Sequence, residues 1–260
     1  MPFLDEFKEI KRRFLPWFYA FILISLFFFC FGFRKFSFFG KNIFLPFPTV
    51  NSISAQFFLK IKKDLLPENV QLVALSPISA FLVQIVISLF FGFIFTFPYF
   101  VFQFFSYLSP ALYENEKKYI FKILIPSSFL FLLGCLFSYF FLIPFTFKIL
   151  YSFASILEVS PFFDLDKFLT LVLGLMFATG ILFLTPIFMA LLSYFGLIPP
   201  NFWRKNWQIA FFIFIVISAI ITPDGSGITQ LILSFFLTGL YFLGYIMSKV
   251  FKKVEIKKIK

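Results

Sequence analysis

The sequence predicts an all-α polytopic membrane protein with six transmembrane helices, several kinked by proline, forming a curved wall. Three observations predict it. The 260 residues are 61% hydrophobic and 13% charged, with a mean hydropathy of +0.97, whereas soluble domains carry about 25% charged residues. Six apolar runs approach or exceed the about 20 residues that a helix needs to cross the hydrocarbon layer. Prolines at 98, 126, 144 and 186 fall inside those runs, and a proline removes one helix hydrogen bond and bends the helix there.

The spans follow in order within a single domain covering 1–260. The first, about 14–33, follows the mixed-charge stretch Asp5-Glu6-Phe7-Lys8-Glu9-Ile10-Lys11-Arg12-Arg13. No small-residue cleavage site follows it, and it is longer than a signal-peptide core, so it reads as a retained span. The connection 34–77 is the one long one, with Pro46, Pro48 and Pro67 and a short amphipathic helix expected near 54–66. The second span covers about 78–105 and the third about 119–150. An acidic connection with Glu158, Asp164 and Asp166 leads to the fourth, about 168–195. The fifth, about 207–221, is short enough to thin the bilayer locally. After the breaker-rich turn Thr222-Pro223-Asp224-Gly225-Ser226-Gly227, the sixth covers about 228–250.

Composition also excludes chemistries. Histidine is absent, which removes a histidine base, a histidine metal ligand and Ser-His or Cys-His pairs. Cys30 and Cys135 lie in apolar runs with no CxxC spacing, so both read as small buried residues, and no metal site is expected. The enrichment in phenylalanine, 51 residues, carries no cofactor argument. The net charge of +11 raises the question of nucleic acid. The basic residues flank the apolar runs, however, as topological anchors do, so no nucleic-acid partner is expected. With six spans both termini share one side, which holds fifteen of the 23 Lys and Arg residues. Positive residues favour the cytoplasmic side, so both termini are expected there.

That orientation places Glu9, Glu114 and Glu116 on the cytoplasmic face. The stretch from Phe97 to Lys118 ends one apolar run, turns a proline-marked corner and sets two carboxylates beside two lysines. Ionisable groups at a membrane boundary are costly to desolvate and usually have a partner. Two readings stay open for Glu114 and Glu116: stabilisers of a helix start, or a site for a cationic ligand. Glu9 likewise reads either as a partner of Lys8, Arg12 or Arg13 on a solvated helix face or as part of that site. Asp224 is either a turn and helix cap or a functional carboxylate. Gln84, Gln103, Gln208 and Gln230 fit interhelical amide contacts, above all Gln84 and Gln208.

Several motifs together resemble one family. They are Lys8-Glu9-Ile10-Lys11-Arg12-Arg13 before the first span, Leu75-Ser76-Pro77 before the second, and Phe97-Pro98 with Gln103. The most specific is Ser109-Pro110-Ala111-Leu112-Tyr113-Glu114-Asn115-Glu116-Lys117. Gly134, Tyr139, Phe183 with Pro186, and Thr222-Pro223-Asp224 continue the likeness in order along nearly the whole chain. The sequence thus resembles the TatC family, the six-span signal-recognising subunit of the twin-arginine protein translocase. The resemblance implies a receptor without catalytic residues, metal or cofactor. It would bind twin-arginine signal peptides of folded cargo through Glu9 and Glu116, with Gln103, Tyr107 and Glu114 nearby. Pro98, Pro110, Tyr113, Pro186 and Asp224 are implied as structural or functional positions. Further implications are a hetero-oligomer with small single-span partners of the TatA/TatB type, a setting in membrane lipid, and a proton gradient as energy source. The implied location is a bacterial inner membrane, with a thylakoid or mitochondrial membrane as the alternative.

This chain departs from the family pattern at four positions. Tyr107 stands where phenylalanine is usual and Leu184 where a buried glutamate is common. Phe236 and Phe242 stand near a usual proline and glutamate of the sixth span. Three readings compete with the resemblance. A small-solute secondary transporter usually carries midplane charge or paired broken helices in repeats, which this sequence does not show. An intramembrane serine enzyme built on Gly225-Ser226-Gly227 lacks a base. A divergent membrane scaffold is the third.

Overall fold

The computed structural model describes residues 2–38, 41–49, 51–66, 70–108, 114–158 and 162–259. Five segments among them are helical, apolar and long enough to cross a membrane: Lys11–Cys30, Ser79–Tyr107, Leu124–Ile156, Leu165–Tyr194 and Ile228–Val250. Trp207–Ile221 is apolar but shorter. Its 15 residues rise about 22 Å, against about 30 Å of hydrocarbon. The chain is a multi-pass helical membrane protein. It divides into two compact units, Met1–Ile125 with Pro161–Leu173, and Pro126–Ser160 with Gly174–Lys260.

The first unit opens with α1 (Pro2–Cys30). The helix stops short of the expected end of the first span because the chain becomes extended at Phe31. Strands β1 (Phe31–Phe38) and β2 (Lys41–Pro48) pair antiparallel, Phe31 opposite Pro48. Gly32 is required in β1, since a Cβ there would overlap the carbonyl oxygen of Asn51. Cys30 ends α1 exposed instead of buried, a correction to the sequence reading, while Cys135 is buried. The amphipathic helix forms as α2 (Ile53–Leu65). Ser52 caps it, its hydroxyl accepting from the Ala55 N–H at 3.4 Å, and Ser54, Ile61 and Leu65 form its buried stripe.

Next come β3 (Gln71–Val73) and α3 (Ser79–Leu108). β3 pairs parallel with β4 (Phe162–Asp164), from the acidic connection, Gln71 opposite Phe162. β4 runs directly into α6 (Leu165–Leu182). The Ser79 hydroxyl donates to Asp166 Oδ2 at 2.7 Å, so the starts of α3 and α6 are clasped by both backbone and side chain. Asp166 also lies in the first turn of α6, where the helix dipole favours a carboxylate.

Two helices that begin in the first unit are interrupted beside prolines in their second-unit parts. α4 (Glu114–Phe137) widens into a π-helical turn, Ser138–Leu142, before α5 (Ile143–Ile156) carries Pro144 in its first turn. The wider turn accommodates the residue that has no N–H to donate. α6 stops at Leu182, and α7 (Thr185–Tyr194) begins after Phe183-Leu184. Pro186 cannot donate to the Leu182 carbonyl one turn back; the Thr185 hydroxyl donates to it instead, at 2.6 Å. Pro98 and Pro126, by contrast, lie inside continuous helices.

Within a membrane, helices associate through close packing and polar contacts, because lipid tails are as apolar as the side chains. Gly134 on α4 meets Gly180 on α6, and a Cβ on Gly134 would lie 2.8 Å from the Gly180 Cα. Phe137 then packs on Phe183 and Phe236, ring centroids 5.3 and 4.4 Å apart. α8 (Pro200–Lys205) is tied down by Trp203, whose indole N–H donates to Ser193 Oγ at 2.8 Å. α9 (Trp207–Ile221) and α10 (Ile228–Ile259) share a polar seam. There Gln230 Nε2 donates to the Ile215 carbonyl at 3.1 Å and the Ser234 hydroxyl to Ser218 Oγ at 3.2 Å. Gln230 is therefore an interhelical amide as expected, whereas Gln208 is exposed, contrary to expectation.

Candidate functional site: one end of the α1–α3 pair

The position of the site follows from how α1 meets α3. Trp17 on α1 packs on Phe100 of α3, centroids 5.0 Å apart, and edge-on against Phe93 at 6.4 Å. Further along α1, Phe28 stacks on Phe91 at 5.1 Å, and Phe29 meets Phe81 edge-on at 5.6 Å. Contact positions rise on α1 as they fall on α3, so the helices are antiparallel. Midway, Gly92 leaves room for the Ser25 hydroxyl, which donates to the Phe21 carbonyl at 2.7 Å.

This register brings the N-terminal part of α1 to the C-terminal end of α3. There the Arg13 guanidinium donates through Nη1 to the Ser106 carbonyl and, at 3.1 Å, to Ser106 Oγ. Ser106 is in the last turn of α3, whose carbonyls lack partners within the helix and carry the negative end of its dipole. A guanidinium answers both needs. Sequence reading treated Arg13 as an anchor or an ion-pair partner of Glu9 and missed this role.

Glu9 lies one turn ahead of Arg13 and just before the membrane-long segment that starts at Lys11. Gln103 and Tyr107, both half-buried, occupy the last turns of α3. Glu114 and Glu116 lie in the first turn of α4, in the same unit. The chain between Leu108 and Glu114 reaches about 21 Å at full extension, which bounds how far that turn can lie from the end of α3. Pro110 and Tyr113 lie outside the described residues. The predicted carboxylates thus belong to α1 and to the start of α4, both within the first unit. The chemistry these segments offer is carboxylate oxygens for a cation, an amide, a phenol, and the apolar flank of α1.

The other singled-out positions are built differently. Pro98 is half-buried inside α3, and Pro186 is buried at the start of α7. Asp224 is 6% exposed. One of its oxygens accepts from the Ser226 hydroxyl and the other from the Thr229 hydroxyl. Gly225 and Gly227 follow it at φ of 59° and 73°, a backbone region open to glycine and strained for most side chains. Asp224 therefore braces the turn that starts α10, with both oxygens engaged. Leu184 is buried between α6 and α7. Among the described residues no group of three or more Cys, Asp or Glu stands close enough to hold a metal ion.

Comparison with known proteins places this architecture. Residues 5–235 match the family model described as Sec-independent protein translocase protein (TatC). The Sec-independent protein translocase protein TatC of Cenarchaeum symbiosum is 30% identical over 250 residues, covering 96% of this chain and 95% of the relative. That of Aquifex aeolicus is 32% identical, covering 99% of this chain and 100% of the relative. A crystal structure of the twin arginine translocase receptor TatC superposes with a TM-score of 0.72 at 29% identity, over 95% of this chain and 99% of that one. With a family match across most of its length and relatives alike from end to end, the chain belongs to the TatC family of protein translocase proteins.

Proposed function

We propose that this chain is the signal-reading core subunit of a twin-arginine protein translocase. It binds the arginine pair of a signal peptide at the cytoplasmic face and helps move the folded cargo across the membrane. One observation supports the reading: Arg13 ties the N-terminal part of α1 to the last turn of α3, the helix end that carries Gln103 and Tyr107, and Glu9 lies one turn before Arg13. Guanidinium is always charged and presents a planar fork, to which a carboxylate accepts two parallel hydrogen bonds. Carboxylates on two separate helices, Glu9 and Glu116, distinguish a pair of arginines from a single one. Lysine offers a point charge without the fork. The apolar stretch of the signal then lies along the exposed flank of α1, where Leu15, Tyr19 and Leu23 face outward.

The role needs no covalent step. In this reading the chain sits in a bacterial inner membrane with both termini cytoplasmic. It works as part of a hetero-oligomer with small single-span subunits. In this reading the topology expected from the distribution of basic residues puts Glu9 and Glu116 on the side where a signal peptide is first met.

The test is photocrosslinking of a twin-arginine signal peptide to the full chain in membranes. A hydrogen-bonded charge pair contributes about 1.5–3 kcal/mol, so Glu9→Ala and Glu116→Ala are each expected to weaken binding about 10- to 100-fold. A twin-lysine peptide should bind the unaltered chain weakly. Full crosslinking in both variants, or equal capture of the twin-lysine peptide, overturns the reading.

A further inference from the structure

The connection between α1 and α3 carries an unexpected charge for the face on which it lies. Residues 31–77 hold six basic residues against two acidic ones, Asp64 and Glu68. Three of the basic residues belong to α2, whose buried stripe of Ser54, Ile61 and Leu65 faces the protein. Phe57 fixes that orientation, packing edge-on against Phe91 of α3 with centroids 4.7 Å apart. On the other side of the helix Lys60, Lys62 and Lys63 are exposed, together with one carboxylate, Asp64. Lys60 and Lys63 are three residues apart and so adjacent on the helix surface, with Leu59, 58% exposed, one turn before Lys63. Phe33 and Phe47, on paired strands beside this helix, are also exposed, at 49% and 47%.

Lysines at the C-terminal end of a helix complement its dipole, which accounts for Lys62 and Lys63. Asp64, one turn after Lys60, is placed to offset that charge, but neither effect accounts for a large apolar side chain left exposed among the charges. A short helix with a basic outer face, an exposed leucine and neighbouring exposed phenylalanines, set where two spans meet the membrane surface, has the composition of an interfacial helix. Such a helix places its ammonium groups at headgroup level and its apolar side chains just below.

We propose that the outer face of α2 docks on anionic phospholipid, with Lys60 and Lys63 holding the headgroup phosphate and Leu59 reaching the acyl boundary. Charge complementarity selects this occupant over zwitterionic lipid, and the exposed Leu59, Phe33 and Phe47 select a lipid over a soluble anion. The inference does not rest on the proposed signal reading.

The test uses the full chain in nanodiscs of phosphatidylcholine and phosphatidylglycerol in equal parts, with native mass spectrometry of the lipids retained on release. Phosphatidylglycerol is expected to be retained preferentially. The double variant Lys60→Gln/Lys63→Gln should lose that preference by on the order of tenfold, and excess soluble glycerol phosphate should not compete. As an independent measurement, tryptophan fluorescence of Leu59→Trp, with that of the unaltered chain subtracted, is expected to be quenched more by brominated phosphatidylglycerol than by brominated phosphatidylcholine. Equal retention of the two lipids by the unaltered chain overturns the proposal. So does an unchanged preference in the double variant, which would leave the lysines to a soluble partner. Displacement by glycerol phosphate, or equal quenching by the two brominated lipids, overturns it as well.

Discussion

The α1–α3 pair and the α9–α10 pair solve the same problem by opposite means. α9 and α10 are joined by a tight turn, so the turn fixes their register, and its carboxylate is consumed in doing so. Both Asp224 oxygens are held by hydroxyls of the same segment, and the interface beyond is a seam of Ser218, Ser234 and Gln230. α1 and α3 are separated by a hairpin and a surface helix, so no turn can align them. Ring packing does it instead, closed at one end by a single guanidinium on a helix terminus. The Asp224 carboxylate is held in place by a hydrogen bond to each oxygen from its own segment. On the proposed reading, the carboxylates of Glu9 and Glu116 serve a ligand instead.

The predictions test that contrast, beginning with the change expected to be most damaging. Gly134→Leu puts side-chain atoms where Gly180 already stands and should cost about 3 kcal/mol or more through overpacking. Thermal aggregation of detergent-purified protein should reveal it, while Gly239→Ala, with open space at its Cβ, should melt as the unaltered chain does. Next, Glu9→Ala should lower signal-peptide affinity about 10- to 100-fold with a melting temperature unchanged. Asp224→Ala should do the reverse, losing about 1–2 kcal/mol of stability as a helix cap does, with crosslinking reduced only as far as folded protein is lost. If both variants lose stability equally, the contrast fails. Arg13→Gln removes the charge at the end of α3 at a cost of about 1 kcal/mol. It should weaken signal binding by misplacing Glu9, and Arg13→Lys should restore part of it. Smallest is Gln230→Leu, about 0.6 kcal/mol by the average for membrane interhelical hydrogen bonds, seen as a slight drop in melting temperature without any change in crosslinking.

Much of the fold was legible because apolar run length is a strong signal in membrane proteins. Runs around 78–105, 207–221 and 228–250 match α3, α9 and the membrane part of α10 closely. The surface helix near 54–66 was legible from its amphipathic spacing. The hairpin was not, because Phe31 and Phe33 extend the apolar run of α1 without a break, and hydropathy alone cannot separate the end of a helix from the start of a strand. The signal that was present is the partial alternation of Phe31-Gly32-Phe33-Arg34 and Phe36-Ser37-Phe38 before Gly40. The parallel pairing of β3 with β4 was beyond reach, since it joins short segments far apart in sequence. For the site, the motifs located the helices that carry Glu9 and Glu116, but the Arg13–Ser106 contact depends on a register set by aromatic packing, which single-sequence reading does not give.

The clasp between the starts of α3 and α6 has a practical consequence. Gln71–Val73 and Ser79 hold Phe162–Asp164 and Asp166 without help from anything upstream of residue 70, and α1 grips α3 through side chains alone. A chain severed between β1 and β2 would lose connectivity but neither of those attachments. Two separately expressed fragments, one ending after β1 and the other beginning at β2, should therefore find each other in the bilayer and copurify as a reassembled molecule.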